Sequence, residues 1–163
     1  MFPFEISALA ALVLDEARAR SLRITTAESC TGGLVAGALT AIAGSSDVFE
    51  RGFVTYSNRA KTEMLGVPGD LIDDLGAVSE PVVRMMAEGA LENASAHVSV
   101  AITGVAGPGG GTPMKPVGMV HFATARSNGP ILHRVEHFQE MDRDAIRMAS
   151  VQVALEMLRE RLT

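Results

Sequence analysis

The spacing of hydrophobic positions changes period several times along the chain, and each change marks an element. Leu9, Leu12, Val13 and Ala17 recur at helical spacing within residues 4–20, which predicts a packed amphipathic helix. The β-branched run Arg23-Ile-Thr-Thr-Ala27 reads as a strand, and residues 34–42 are helical in composition. Gly52-Phe-Val-Thr-Tyr56 reads as a second strand, after which Ser57 or Asn58 can cap a helix that runs to Leu65 and stops at Gly66. A further helical turn lies near 71–75. Ser79-Glu-Pro-Val then opens a helix to about Ala94, with Pro81 inside its first turn. Residues 97–103 are strand-like. Two more strands, 119–125 and 131–138, flank the turn residues Ser127-Asn-Gly-Pro130 and predict a hairpin. The terminal segment 142–162 is an amphipathic helix with Ile146, Ala149, Val153 and Leu158 inward. Strands alternating with helices, plus one late hairpin, predict an α/β fold: a three-layer α/β/α arrangement around a mixed, mainly parallel sheet.

Composition narrows the function classes. A chain of 163 residues suits a single domain spanning 1–163, and 47% hydrophobic residues are enough to build a real core. Fourteen basic against 19 acidic side chains leave a net charge of −5, without the basic excess that a nucleic-acid partner calls for. The single cysteine, Cys30, excludes an intramolecular disulfide framework and a Cys-based zinc cluster, which fits a cytoplasmic protein. The densest apolar stretch, Ala8 to Leu14, is far shorter than the ~18–20 residues a spanning helix needs, so no membrane partner is expected. Glu5, with no Lys or Arg before the apolar run, is unlike a secretory signal.

Three segments could carry chemistry. Ser29 sits where the first strand hands over to its helix, and open α/β sheets collect their sites beyond the carboxyl ends of strands. Position alone leaves it between a nucleophile and a helix cap, a role Thr31 could also fill. Tyr56, the only tyrosine, ends the second strand, and Lys61 lies about one turn into the next helix. If the two strands are parallel neighbours, Ser29, Tyr56 and Lys61 meet at one sheet edge. There a desolvated lysine could serve the serine as base, whereas a solvated lysine would be a surface charge. The third segment is the loop Gly104-Val-Ala-Gly-Pro-Gly-Gly-Gly-Thr-Pro-Met-Lys-Pro-Val-Gly118. It lacks the ending of a P-loop, yet its backbone amides could collar an anion, the alternative being a structural loop. His133-Arg-Val-Glu-His137 spells an inverted zinc-protease signature, but that motif needs a helix. Alternation of Ile131, His133, Val135 and His137 predicts a strand instead, with Glu136 on the opposite face. Cys30 is a second candidate nucleophile without a sequence-local histidine to support it.

Taken together, several segments resemble the C-terminal domain of the competence-damage protein CinA, a family whose stand-alone members are nicotinamide-nucleotide amidohydrolases. They are Thr26-Ala-Glu-Ser-Cys-Thr-Gly-Gly33, Gly44-Ser-Ser46, Arg51-Gly-Phe-Val-Thr-Tyr-Ser-Asn58 with Lys61, Gly76-Ala-Val-Ser-Glu80, Ile102-Thr-Gly-Val-Ala-Gly-Pro108 and Lys115-Pro-Val-Gly118. The resemblance runs in order over essentially the whole chain. It implies a three-layer α/β/α sandwich with a mixed five-stranded sheet. It also implies hydrolysis of the carboxamide of nicotinamide mononucleotide, giving nicotinate mononucleotide and ammonia in pyridine-nucleotide recycling.

The family's serine–lysine chemistry falls on Ser29 as nucleophile with Tyr56 and Lys61, and its final-helix arginine falls on Arg143, a phosphate partner. Where the family often has Gly-Asp-Arg, this chain has Met141-Asp-Arg143. Lys61 would take the Ser29 proton directly or through the Tyr56 hydroxyl. Backbone amides of Cys30, Thr31, Gly32 and Gly33 would hold the oxyanion, and Gly104, Gly107 and Arg143 would hold the substrate. Such chemistry requires no metal or redox cofactor. The partner is then a small nucleotide, with room for a homo-oligomer. The opposing reading is a non-catalytic nucleotide-binding or partner-regulating module, in which Lys61 contacts phosphate.

Overall fold

The computed structural model describes residues 1–163. Five strands form one sheet in the order β2-β1-β3-β4-β5. They are β1 (Ile24–Glu28), β2 (Phe49–Val54), β3 (Val98–Gly104), β4 (Met119–Arg126) and β5 (Leu132–His137). The helices are α1 (Phe4–Ala19), α2 (Leu34–Thr40), α3 (Asn58–Leu65), α4 (Gly69–Leu75), α5 (Glu80–Glu92) and α6 (Arg143–Arg161). All the predicted elements are present. β2 begins three residues earlier than its sequence suggests and ends before Tyr56.

The expectation of a mainly parallel sheet is corrected. β1 pairs in parallel with β2 and with β3, but β3–β4 and β4–β5 are antiparallel. The reason lies in the connections. Parallel neighbours need a long crossover, supplied by α2 and by the α3–α5 segment, whereas antiparallel neighbours can be joined by loops and hairpins. After β3 the chain returns through the glycine-rich loop and then through the Ser127–Pro130 turn, where Asn128 takes a positive φ of 64°.

Alternation along the strands separates two apolar clusters. Ile24, Val98, Val100, Ile102, Val120 and Phe122 join the buried stripes of α1, α2 and α6. Ala27, Phe53, Ala101, Ala123 and Ala125 instead join residues of α3, α4 and α5. In α1 the buried stripe is Ile6, Ala10, Val13, Leu14 and Ala17, so Leu12, expected on it, stays exposed. Small strand residues on the second side let α5 lie close. Ser99 donates to the Ala87 carbonyl of α5 at 2.7 Å, and a Cβ at Gly89 would stand 2.0 Å from the Leu65 carbonyl oxygen of α3. The chain leaves β1 towards β2 and leaves β3 towards β4, so the connections diverge between β1 and β3. A crevice at the carboxyl ends of those strands follows from that topology.

Candidate active site

The site is built at the end of β1. The ladder continues past the strand, with the Ser29 amide donating to Ile102 and the Thr55 amide to Glu28, at 2.9 and 2.8 Å. Strand alternation then sends successive side chains to opposite faces. Glu28 turns towards α2, where its fully buried carboxylate accepts from the amides of Val35 at 2.8 Å and Ala36 at 3.0 Å. Ser29 turns the other way, towards α3. The cap of α2 is therefore Glu28, reaching back from the strand, and neither Ser29 nor Thr31 caps the helix. This overturns the capping alternative for both residues.

α3 starts at Ser57, whose hydroxyl accepts from the Ala60 amide at 3.0 Å, and it buries Lys61 and Leu65 on one stripe. Lys61 thus occupies a core position. It is 1% exposed, and its Nζ lies 3.1 Å from Ser29 Oγ while donating to the Thr55 carbonyl at 3.0 Å. No carboxylate stands against it in any ion pair. Burial disfavours the ammonium and pushes the Lys61 pKa down, and the only opposing influence is a Cys30 thiolate, which forms only once that thiol ionises. The solvated-charge alternative for Lys61 does not describe this side chain. Cys30 is the reverse case: desolvation, reinforced by Glu28, pushes its thiol up to about 12, so it remains a protonated core residue.

A cleft of about 300 Å³ opens over Ser29 and Cys30, bounded by Tyr56, Val78, Arg143 and the loop from Gly104 to Gly110. Across its mouth Arg143 donates to the Gly107 carbonyl at 2.7 Å and to the Tyr56 hydroxyl at 2.9 Å. Tyr56 is 60% exposed, and its hydroxyl partner is Arg143, whereas Lys61 bonds to Ser29 and Thr55. Thr31, Gly32 and Gly33 lie in the turn behind the cleft. The Gly32 amide donates to the Ser29 carbonyl at 3.0 Å, so it is already used. The amides of Cys30, Thr31 and Gly33 have no protein acceptor. Gly104 is required for packing: a Cβ there would come within 2.9 Å of the Met119 carbonyl.

Two other features carry no such chemistry. A groove of about 500 Å³ between α1 and the end of α6 is lined mainly by surface charges of both signs, among them the ion pair of Arg159 with Glu16 at 2.8 Å. His133 and His137 lie in strand β5, as alternation predicts, and His133 meets His121 of β4 at 2.8 Å.

The model of the CinA C-terminal domain matches residues 6–162. This chain belongs to the CinA C-terminal domain family. The CinA-family domain is 52% identical over 154 residues to the nicotinamide-nucleotide amidohydrolase PncC of Escherichia coli K12, covering 94% of this chain and 93% of that one. It superposes on the competence/damage-inducible protein CihA of Agrobacterium tumefaciens with a TM-score of 0.96, at 51% identity and over 99% and 98% of the two chains. It is also 61% identical over 110 residues to a CinA-like protein of Akkermansia muciniphila, of which it spans only 27%. No helix of the CinA-family domain is long and apolar enough to cross a membrane.

Two residues that sequence reasoning missed shape this CinA-family site. Glu28 ends a five-residue strand buried at every position, where a carboxylate needs partners, and the signal in the sequence was a lone carboxylate closing an otherwise uncharged β-branched run. Arg147 lies one turn after Arg143 and bonds the carbonyls of Cys30 and Thr31. Its i, i+4 spacing from Arg143 was the only hint.

Proposed function

We propose that this chain hydrolyses the carboxamide of nicotinamide mononucleotide to nicotinate mononucleotide and ammonia, with Ser29 as nucleophile and Lys61 as its base. The observation that carries the reading is the buried Lys61 amine, without a counter-ion and 3.1 Å from Ser29 Oγ at the floor of an open cleft. The activity in the name of the full-length relative from E. coli supports the same reaction class. Neutral Lys61 accepts the Ser29 proton while the Thr55 carbonyl holds one of its N–H bonds in place. Ser29 Oγ attacks the amide carbon, and the free amides of Cys30, Thr31 and Gly33 are the candidates to receive the oxyanion. Protonated Lys61 then gives its proton to the departing nitrogen, and ammonia leaves a seryl ester. Lys61, neutral again, draws a proton from water as it attacks the ester, which returns Ser29 and releases the carboxylate.

Tyr56 and Arg143 stand at the mouth of the cleft, where Arg143 supplies the positive charge for the substrate phosphate and Tyr56 orients it. Gly107 holds Arg143 through its carbonyl, and Gly104 keeps the loop close to the sheet. The reaction needs no metal or redox group. In this reading residues 1–163 are one amidohydrolase domain, a three-layer α/β/α sandwich acting on a small nucleotide in the cytoplasm.

The test is ammonia release, measured by a coupled assay with nicotinamide mononucleotide and with free nicotinamide. Turnover of the nucleotide and little of the free base is expected. Thermal stabilisation by the nucleotide without ammonia would make the chain a binding module instead.

A further inference from the structure

α6 sends two arginines to the site, and only the first reaches the cleft. Arg147, one turn further on, donates from Nε to the Cys30 carbonyl at 3.0 Å and from Nη2 to the Thr31 carbonyl at 3.2 Å. It takes part in no ion pair, so a partly buried guanidinium is directed at two neutral backbone oxygens of the turn that follows Ser29. Gly32 makes room for it: a Cβ there would lie 3.2 Å from Arg147 Nη2, and the residue's φ is +55°. Beyond the turn the Glu28 carboxylate pins the start of α2.

A trans peptide points its C=O and N–H in opposite directions. Fixing the Cys30 carbonyl therefore fixes the Thr31 N–H on the side away from the cation. Fixing the Thr31 carbonyl orients the Gly32 N–H, which closes the turn on the Ser29 carbonyl at 3.0 Å. A positive charge on the carbonyl end also polarises the peptide and makes its N–H a stronger donor. The Thr31 amide is one of those left without a protein acceptor.

We propose that Arg147 is a positioning residue for the amidohydrolase reaction, fixing and polarising the Ser29–Gly33 turn so that its free amides can stabilise the oxyanion. The proposal rests on Ser29 being the nucleophile. Arg147 does not line the cleft and does not bond Ser29 Oγ, so its effect is on transition-state stabilisation rather than on substrate binding. Arg147 and Lys61 share no hydrogen-bond partner, so the pH at which the base ionises should move little when Arg147 is replaced.

The experiment compares wild type, Ser29→Ala, Arg147→Met, Arg147→Lys and Arg147→Ala with nicotinamide mononucleotide as substrate. It also titrates pyridine-3-boronic acid, whose boron accepts a serine oxygen and becomes tetrahedral. Arg147→Met should lower kcat by about 10²-fold, the cost of misplacing reacting groups by about 1 Å, with KM changed less than about threefold. Boronate affinity should fall with kcat/KM, and the midpoint of the pH–rate profile should stay where it is. Arg147→Lys, which keeps the charge but not the two-pronged geometry, should recover part of the loss. Arg147→Ala should regain activity in millimolar guanidinium.

A folded Arg147→Met with kcat within about threefold of wild type overturns the proposal. So does a loss of kcat with boronate affinity unchanged, or one that appears in KM alone. If Arg147→Met does not fold, Arg147→Lys decides: full activity overturns, and a kcat loss shared by boronate supports. Turnover by Ser29→Ala would instead overturn the nucleophile, a result separable from these.

Discussion

Lys61→Met separates chemistry from architecture, because methionine keeps the length and the apolar stem while removing the amine. Without a base, kcat should fall by about 10²- to 10⁴-fold, which corresponds to about 2.7–5.5 kcal/mol of barrier. Stability should move far less, because two opposing effects meet at one buried position. The Thr55 carbonyl loses the donor that Lys61 supplies, which costs about 1–3 kcal/mol for a buried acceptor. Against that, the protein no longer has to desolvate an amine. The two offset to within about 2 kcal/mol, or about 4–8 °C in Tm for a chain of this size. The sign of the pH dependence follows from the lowered Lys61 pKa. Between the folded pKa and the usual lysine value of about 10.4, the unfolded chain binds the extra proton, so wild type gains stability as pH rises through that window. The variant lacks that gain, and its stability relative to wild type improves as pH falls. Ammonia release at saturating nucleotide, with circular dichroism melts from pH 6 to 10, measures both. The rate of wild type should rise with pH to a midpoint below the ordinary lysine range. Lys61→Arg, permanently charged, should be as inactive as Lys61→Met. Substantial kcat in a folded Lys61→Arg protein would refute the general-base role and make Lys61 a binding residue.

Arg143→Ala should raise KM for the nucleotide more than it lowers kcat, and initial-rate kinetics with an unchanged KM would remove the residue from substrate binding. Acid should destabilise the protein through His121, whose pKa burial and the neighbouring His133 pull down to about 4, against the favourable but weaker charge of Glu80 and with Lys115 and His137 adding to the fall. The unfolded chain binds the proton first, so up to about 3 kcal/mol is lost as pH falls from about 6.5 to about 4. Melts of wild type should show this slope, and His121→Gln should flatten it. Gly89→Ala should lower Tm by about 4–8 °C through overpacking worth about 2 kcal/mol, because the new Cβ meets the Leu65 carbonyl at 2.0 Å. A rise in Tm, as helix propensity alone would give, would refute the tight α3–α5 approach.

Local periodicity was sufficient for the elements, because helix and strand patterns are written in neighbouring residues. Every predicted strand and helix is present, and the alternation around His133 identified a strand where a helical metal motif would otherwise be read. The caps at Ser57 and Gly66 were readable for the same reason, since a cap needs only residues a few positions away. Ser29, Tyr56, Lys61 and Arg143 could be singled out from motif and resemblance. What they touch could not. Lys61 has the composition of a surface charge, and only the packing of α3 against the sheet makes it a buried amine beside a serine. Glu28 and Ser29 are neighbours in sequence, yet strand alternation inside a sheet covered on both sides sends one to cap α2 and the other to meet Lys61. Pairing direction depended on whether a helix packed on the sheet carries the chain back or a helix-free loop returns it, and the long glycine-rich loop after β3 does the latter, which is why the sheet is evenly mixed rather than mainly parallel. Arg147 lies more than 100 positions from the carbonyls it holds, a separation at which spacing carries no information. Short-range order is encoded in local residue patterns, whereas protonation, capping and hydrogen-bond partners depend on burial, and burial exists only once the layers have packed.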